Sequence, residues 1–141
     1  MKYVIDCSVQ IKTFVTEADS AKAIQLGDEF RAGIHELLAP DFLPIEVANV
    51  LMILERGGKI RPGDANRFFA QFLIDMPILH PAISLLPRAL EIAKLFRQSV
   101  YDSIYAALAE REGCEHVTAD DKFLRAVQSA LPFVVSLAAL P

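Results

Sequence analysis

Four acidic residues, Asp6, Glu46, Asp102 and Asp120, occupy positions from which carboxylates could act together. Asp6 ends the run Lys2-Tyr3-Val4-Ile5, which is β-branched and aromatic enough to form a short strand. Asp120 lies just beyond a second short run, His116-Val117-Thr118. Glu46 follows Pro44 by two residues and Asp102 follows Ser99 by three, so each falls in the first turn of an expected helix. In an open α/β sheet the carboxyl ends of the strands, and the helices that start there, share the edge where ligand sites form. Carboxylates gathered at that edge repel one another unless cations lie between them. Oxygen-only ligands select hard ions, which makes Mg2+ the expected cofactor and Mn2+ its substitute. Clustered acids holding such an ion suit phosphoryl transfer, in which the metal polarises a phosphate and activates a water.

Each acid taken alone also has a purely structural reading. Asp6 can cap the helix that follows it. A carboxylate at Glu46 suits the positive end of a helix dipole whether or not it does chemistry. Ser99-Val100-Tyr101-Asp102 matches a capping box, with Asp in the place more often taken by Glu or Gln. Asp120-Asp121 before an apolar helix reads as a cap plus a first-turn acid, and the doublet leaves open whether Asp121 contributes. His35, His80 and His116 have no metal-like spacing and are expected at the surface or in loops. Cys7 and Cys114 stand too far apart to suggest a zinc site or a disulfide scaffold, and both read as small buried apolar residues. A reducing, cytoplasmic setting fits that usage.

The elements that must position these acids alternate. After the first strand, Val9 to Val15 forms a helical turn or two. Ala21 to Leu38 has apolar residues near helical spacing, although Leu37-Leu38-Ala39 before Pro40 could instead be a second strand. A helix from Pro44 carries Val47, Val50, Leu51 and Leu54 on one face and stops at Gly57-Gly58. Pro62 to Leu73 is a further helix, with Phe68, Phe69 and Phe72 facing a core or a dimer seam. Ile78 to Leu86 is expected as a strand flanked by turns. Helices follow over Arg88 to Phe96, Val100 to Glu112 (closed by Gly113) and Lys122 to Leu131, with strands at His116 to Thr118 and Phe133 to Leu137. The alternation predicts a three-layer α/β/α architecture around a mainly parallel sheet of about five short strands, one domain over residues 1–141.

Composition agrees. Of the 141 residues 53% are hydrophobic and 23% charged, enough to build a core, which excludes a disordered or fibrous chain. The opening residues predict no secretory leader, and Phe133 to Leu140 is far shorter than the roughly 20 residues of a membrane span. The net charge of −4 argues against a passive nucleic-acid-coating protein. Setting aside the four clustered acids leaves 14 acids against 14 bases, however, so charge does not exclude a nucleic-acid substrate. Arg56, Lys59 and Arg61, and separately Arg88, Lys94 and Arg97, read as solvated faces.

Taken in order, Tyr3-Val4-Ile5-Asp6-Cys7-Ser8, Pro44-Ile45-Glu46-Val47-Ala48-Asn49-Val50-Leu51, Tyr101 to Glu110 and Val117-Thr118-Ala119-Asp120 resemble the PIN domain, and more closely the VapC-type toxins of toxin–antitoxin pairs. The resemblance covers nearly the whole chain. It implies a Mg2+-dependent endoribonuclease with Asp6, Glu46, Asp102 and Asp120 as the catalytic and metal-binding acids. Ser8, Asn49 and Thr118 would support them. It also implies an RNA substrate, a cognate antitoxin and a homodimer; no membrane association is expected, from the lack of a long apolar stretch. Ser99 stands where many relatives carry Thr and keeps the hydroxyl. Two other readings stay open. One is a phosphatase or phosphotransferase with Asp6 as covalent nucleophile, although Ser8 occupies the place where such enzymes want a second Asp. The other is a non-catalytic interaction domain whose acids are only caps.

Overall fold

Short strands separated by helices force parallel pairing, because each helix must carry the chain back across the sheet before the next strand begins. The computed structural model describes residues 1–141 and shows this pattern throughout. The strands are β1 (Lys2–Ile5), β2 (Glu36–Pro40), β3 (Ile78–His80), β4 (Glu115–Thr118) and β5 (Val134–Ser136). All four neighbouring pairs are parallel, in the order β3-β2-β1-β4-β5. The helices are α1 (Cys7–Ile11), α2 (Ser20–Arg31), α3 (Leu43–Arg56), α4 (Asp64–Asp75), α5 (Leu86–Phe96), α6 (Val100–Glu112) and α7 (Asp121–Val127). None is long and apolar enough to cross a membrane.

Alternate residues of the strands feed two cores. Val4, Leu38 and Val134 join a core of 22 buried residues shared with α3, α5, α6 and α7. Ile5, Leu37 and Val117 point the other way, into a core of seven that includes Ala23 and Leu26 of α2. Helix α6 lies deepest, with Ser103 to Ala109 buried without a break.

Several boundaries differ from the sequence pattern. Helix α1 spans Cys7–Ile11 in place of the expected Val9 to Val15. The apolar run from Ala21 divides: α2 ends at Arg31, Gly33 takes φ +74°, and the following residues form β2. A left-handed turn there suits Gly, which has no Cβ to clash. The expected strand from Ile78 to Leu86 survives only to His80. Pro81 cannot donate to a ladder, and residues Ile83–Leu85 form a short 3-10 turn into α5, where Pro87 sits in the first turn. Finally, α7 ends at Val127, four residues before Leu131.

Candidate active site

The strand order reverses around β1, so the carboxyl ends of β1 and β4 border the crevice where open α/β sheets bind ligands. Asp6 follows β1 and caps α1, its Oδ1 accepting the Val9 N–H at 3.3 Å. Ser8 Oγ donates to the same oxygen. Asp120 follows β4 and caps α7, its Oδ1 accepting the Phe123 N–H at 3.1 Å. Ser8 and Thr118 tie the two strand ends together. Ser8 Oγ accepts the Ala119 N–H at 2.9 Å and lies 3.5 Å from Thr118 Oγ1, which accepts the Asp120 N–H at 3.0 Å.

Two helix starts bring the other acids to this edge. Glu46 lies in the first turn of α3, whose Pro44 suits a position that needs no N–H donor. Asp102 lies in the first turn of α6. There Ser99 Oγ accepts the Asp102 N–H at 3.0 Å, the cap half of the expected capping box. Asp102 Oδ2 accepts the Ser99 hydroxyl at 2.9 Å and not the Ser99 N–H, so the box itself is not closed. The cap readings of Asp6 and Asp120 are therefore realised, at the same edge where the acids meet.

Their charges act on one another. Burial raises the Glu46 carboxyl above its ordinary pKa; a hydrogen bond from Tyr105 opposes this, and the charges of Asp102 and Asp6 add to it. Burial likewise raises Asp102, opposed by Ser99 and reinforced by Asp6 and Asp120. Asp6 is the exception. Burial pushes its carboxyl up, but hydrogen bonds and positive charge from His116, with help from Ser8, outweigh that and hold it below the ordinary range. Cys7 beside the cluster has its thiol pushed up, by burial first and then by Glu46 and Asp6, so it is no thiolate nucleophile.

No three His, Cys, Asp or Glu side chains close around one point in this arrangement. The donor set nevertheless suits a hard divalent ion. Glu46, Asp102 and Asp120 each have one carboxylate oxygen engaged by a protein donor and the other without one. None of the three has a Lys or Arg partner among the ion pairs of the molecule. Oxygen donors, unneutralised and mutually repelling, are what Mg2+ or Mn2+ would relieve.

Asn49 is exposed one turn beyond Glu46, and no hydrogen bond ties it to an acid. Asp121 is exposed at the start of α7. Two residues were missed. His116 is fully buried, not at the surface, and its Nε2 lies 3.0 Å from Asp6 Oδ2. Tyr105, also buried, donates its hydroxyl to Glu46 Oε1. The signal for His116 was its place inside a central parallel strand, where both faces are covered and a polar side chain must find a partner. His35 is buried too, bonded to the Leu26 carbonyl and away from the acids. The two cysteines are half-buried and free.

The PIN domain profile matches residues 3–128. No curated protein matches the sequence. Among solved structures, the fold is similar to the crystal structure of PAE2754 from Pyrobaculum aerophilum, with a TM-score of 0.68. That match covers 98% of this chain and 93% of the other at 22% identity, a likeness of fold alone.

Proposed function

Because the chain belongs to the PIN domain family, whose members are generally nucleases, we propose that it is a Mg2+-dependent endoribonuclease and the toxin of a type II toxin–antitoxin pair. One observation carries the hydrolytic part: four acids meet at the switch-point edge of the sheet with no Lys or Arg to neutralise them. Asp6, Glu46, Asp102 and Asp120 would hold the ion, which supplies phosphate polarisation and an activated water. The chain's own part is to orient those carboxylates and leave them without a Lys or Arg partner. Ser99 fixes Asp102 through its hydroxyl, and Ser8 fixes Asp6 while joining the ends of β1 and β4.

Asp6 is poorly suited to the covalent alternative. Its two oxygens already accept from Ser8, Val9 and His116, which lowers its pKa and its nucleophilicity together. RNA as substrate, the cognate antitoxin and the homodimer are supported by the ordered motifs alone. Incubating the purified protein with RNA and Mg2+ tests the reading. Cleavage should stop in EDTA and leave 5′-phosphate and 3′-hydroxyl ends, since a water nucleophile does not use the 2′-hydroxyl. Persistence in EDTA with 2′,3′-cyclic ends overturns the metal mechanism. Free tolerance of the chain by its host, without a partner encoded beside it, overturns the toxin assignment.

A further inference from the structure

We propose that Tyr105 and His116 form a buried brace that sets the separation of Glu46 and Asp6, making both of them positioning residues of the nuclease site. The inference rests on the nuclease reading above. Each ring carries one acid: Tyr105 donates its hydroxyl to Glu46 Oε1, and His116 Nε2 lies 3.0 Å from Asp6 Oδ2. The rings stack on each other, with centroids 5.9 Å apart and planes 21° from parallel. Phe42 packs edge-on against Tyr105 at 5.4 Å, and Phe123 packs against His116 at 5.8 Å. The four rings make a row under the acids, with its two inner members pointing polar tips at them.

The backbone holds the row still. His116 lies in β4 in register with Val4 of β1, so its backbone is tied to the strand that ends just before Asp6. Tyr105 lies in the fully buried stretch of α6, the helix that presents Asp102 one turn earlier. Glu46 and Asp6 repel each other and would drift apart on their own rotamers. Anchored to a stacked pair, they cannot do so independently.

Packing alone does not explain His116. Its contact with a carboxylate makes Nε2 the donor, and its Nδ1 is buried with no hydrogen-bond partner. A buried unpaired nitrogen is a desolvation penalty that an apolar side chain of similar size would avoid. The one polar contact the imidazole gains in return is Asp6. Partners that orient metal-binding carboxylates in this way typically affect metal affinity or activity about 10–100-fold when removed.

The test compares Tyr105→Phe, His116→Leu, His116→Gln and the Tyr105→Phe/His116→Leu double variant with the wild type. Three quantities are read: the Mn2+ dissociation constant by titration calorimetry, kcat and KM for RNA separately, and the melting temperature in EDTA. Tyr105→Phe and His116→Leu should each weaken Mn2+ binding about 10–100-fold and lower kcat, leaving KM for RNA nearly unchanged. His116→Gln keeps a donor and should recover most of the affinity. The double variant should lose less than the product of the single losses, because either removal already frees the spacing. Variants that melt lower in EDTA yet bind Mn2+ as tightly as the wild type would show a merely structural role and overturn the brace alone. A wild type that neither binds Mn2+ nor cleaves RNA would bring down the nuclease reading, and the brace with it. Tyr105→Phe and His116→Gln are near in size to the native residues, so the comparison survives if His116→Leu fails to fold.

Discussion

The two ends of α6 treat their acids in opposite ways. In its last turn Glu110 and Glu112 face the negative end of the helix dipole, and cations answer both. Arg88 forks onto Glu110 at 2.8 and 3.1 Å, and Glu112 meets Arg111 at 3.2 Å and Lys2 at 3.5 Å. Burial nudges the Glu112 carboxyl up, but Arg111 and Lys2 outweigh it and hold it below its ordinary value. In the first turn Asp102 gains from the dipole and the Ser99 hydroxyl, yet it faces Asp6 and Asp120 without a Lys or Arg, and its carboxyl is raised, by burial first and then by those acids. The same residue chemistry is thus neutralised at one end and left in conflict at the other. Unrelieved repulsion at the end nearest the strand termini is a stability loss of the kind that functional sites tolerate and structural surfaces do not.

The sharpest way to break this contrast is to neutralise one acid at each end. Asp102→Asn should slow Mg2+-dependent RNA cleavage by roughly 100-fold or more, about 2.7 kcal/mol of transition-state stabilisation, whereas Glu110→Gln should leave the rate unchanged. Initial rates on one RNA decide it, and equal losses would erase the functional difference between the two ends. Mn2+ should separate them again without chemistry. At a hundred times its dissociation constant it should stabilise wild type and Glu110→Gln by about 2.7 kcal/mol, and Asp102→Asn by much less, measured as melting shifts.

Acidity probes the same conflict in EDTA. Glu46 and Asp102 have raised pKa values, so the folded state holds their protons more tightly than the unfolded chain does. As pH falls from neutral through those raised values toward the ordinary 4.5 and 3.8, stability should rise. Asp6 is shifted the other way, and its contribution should be lost as pH falls through its lowered folded value. The melting temperature should therefore climb and then drop on acidification. A monotonic fall from neutral pH would mean that burial and the neighbouring acids do not raise Glu46 and Asp102. The smallest effect belongs to the paired end: Arg88→Met should cost about 0.2–1 kcal/mol, shrinking in high salt. A larger loss, insensitive to salt, would show that Arg88 acts through packing.

Much of the scaffold was legible from local signals. The β-branched run before Asp6, the helix begun by Pro44 and stopped by Gly57, and the helix between Ser99 and Gly113 all announce themselves over a few residues. Apolar runs were legible only as apolar. Whether Ile83 continues a strand or turns into a helix depends on Pro81 ending the ladder and on α5 packing against α6, and the run itself contains neither fact. The cluster of acids was inferable, because strand ends and helix starts share an edge in any such sheet.

Sequence alone thus determined the alternation of strands and helices, and with it which acids share an edge. It did not determine what holds them. Tyr105 reaches Glu46 across 59 positions and His116 reaches Asp6 across 110, so no periodicity or spacing rule connects either pair. Local patterns record whether a residue can face a core; only the packed sheet brings a strand histidine beneath a strand-end aspartate and a helix tyrosine beneath a helix-start glutamate. The tertiary structure made that decision because, once the interior is closed to water, a buried polar tip must find its partner among whatever side chains the fold brings within reach.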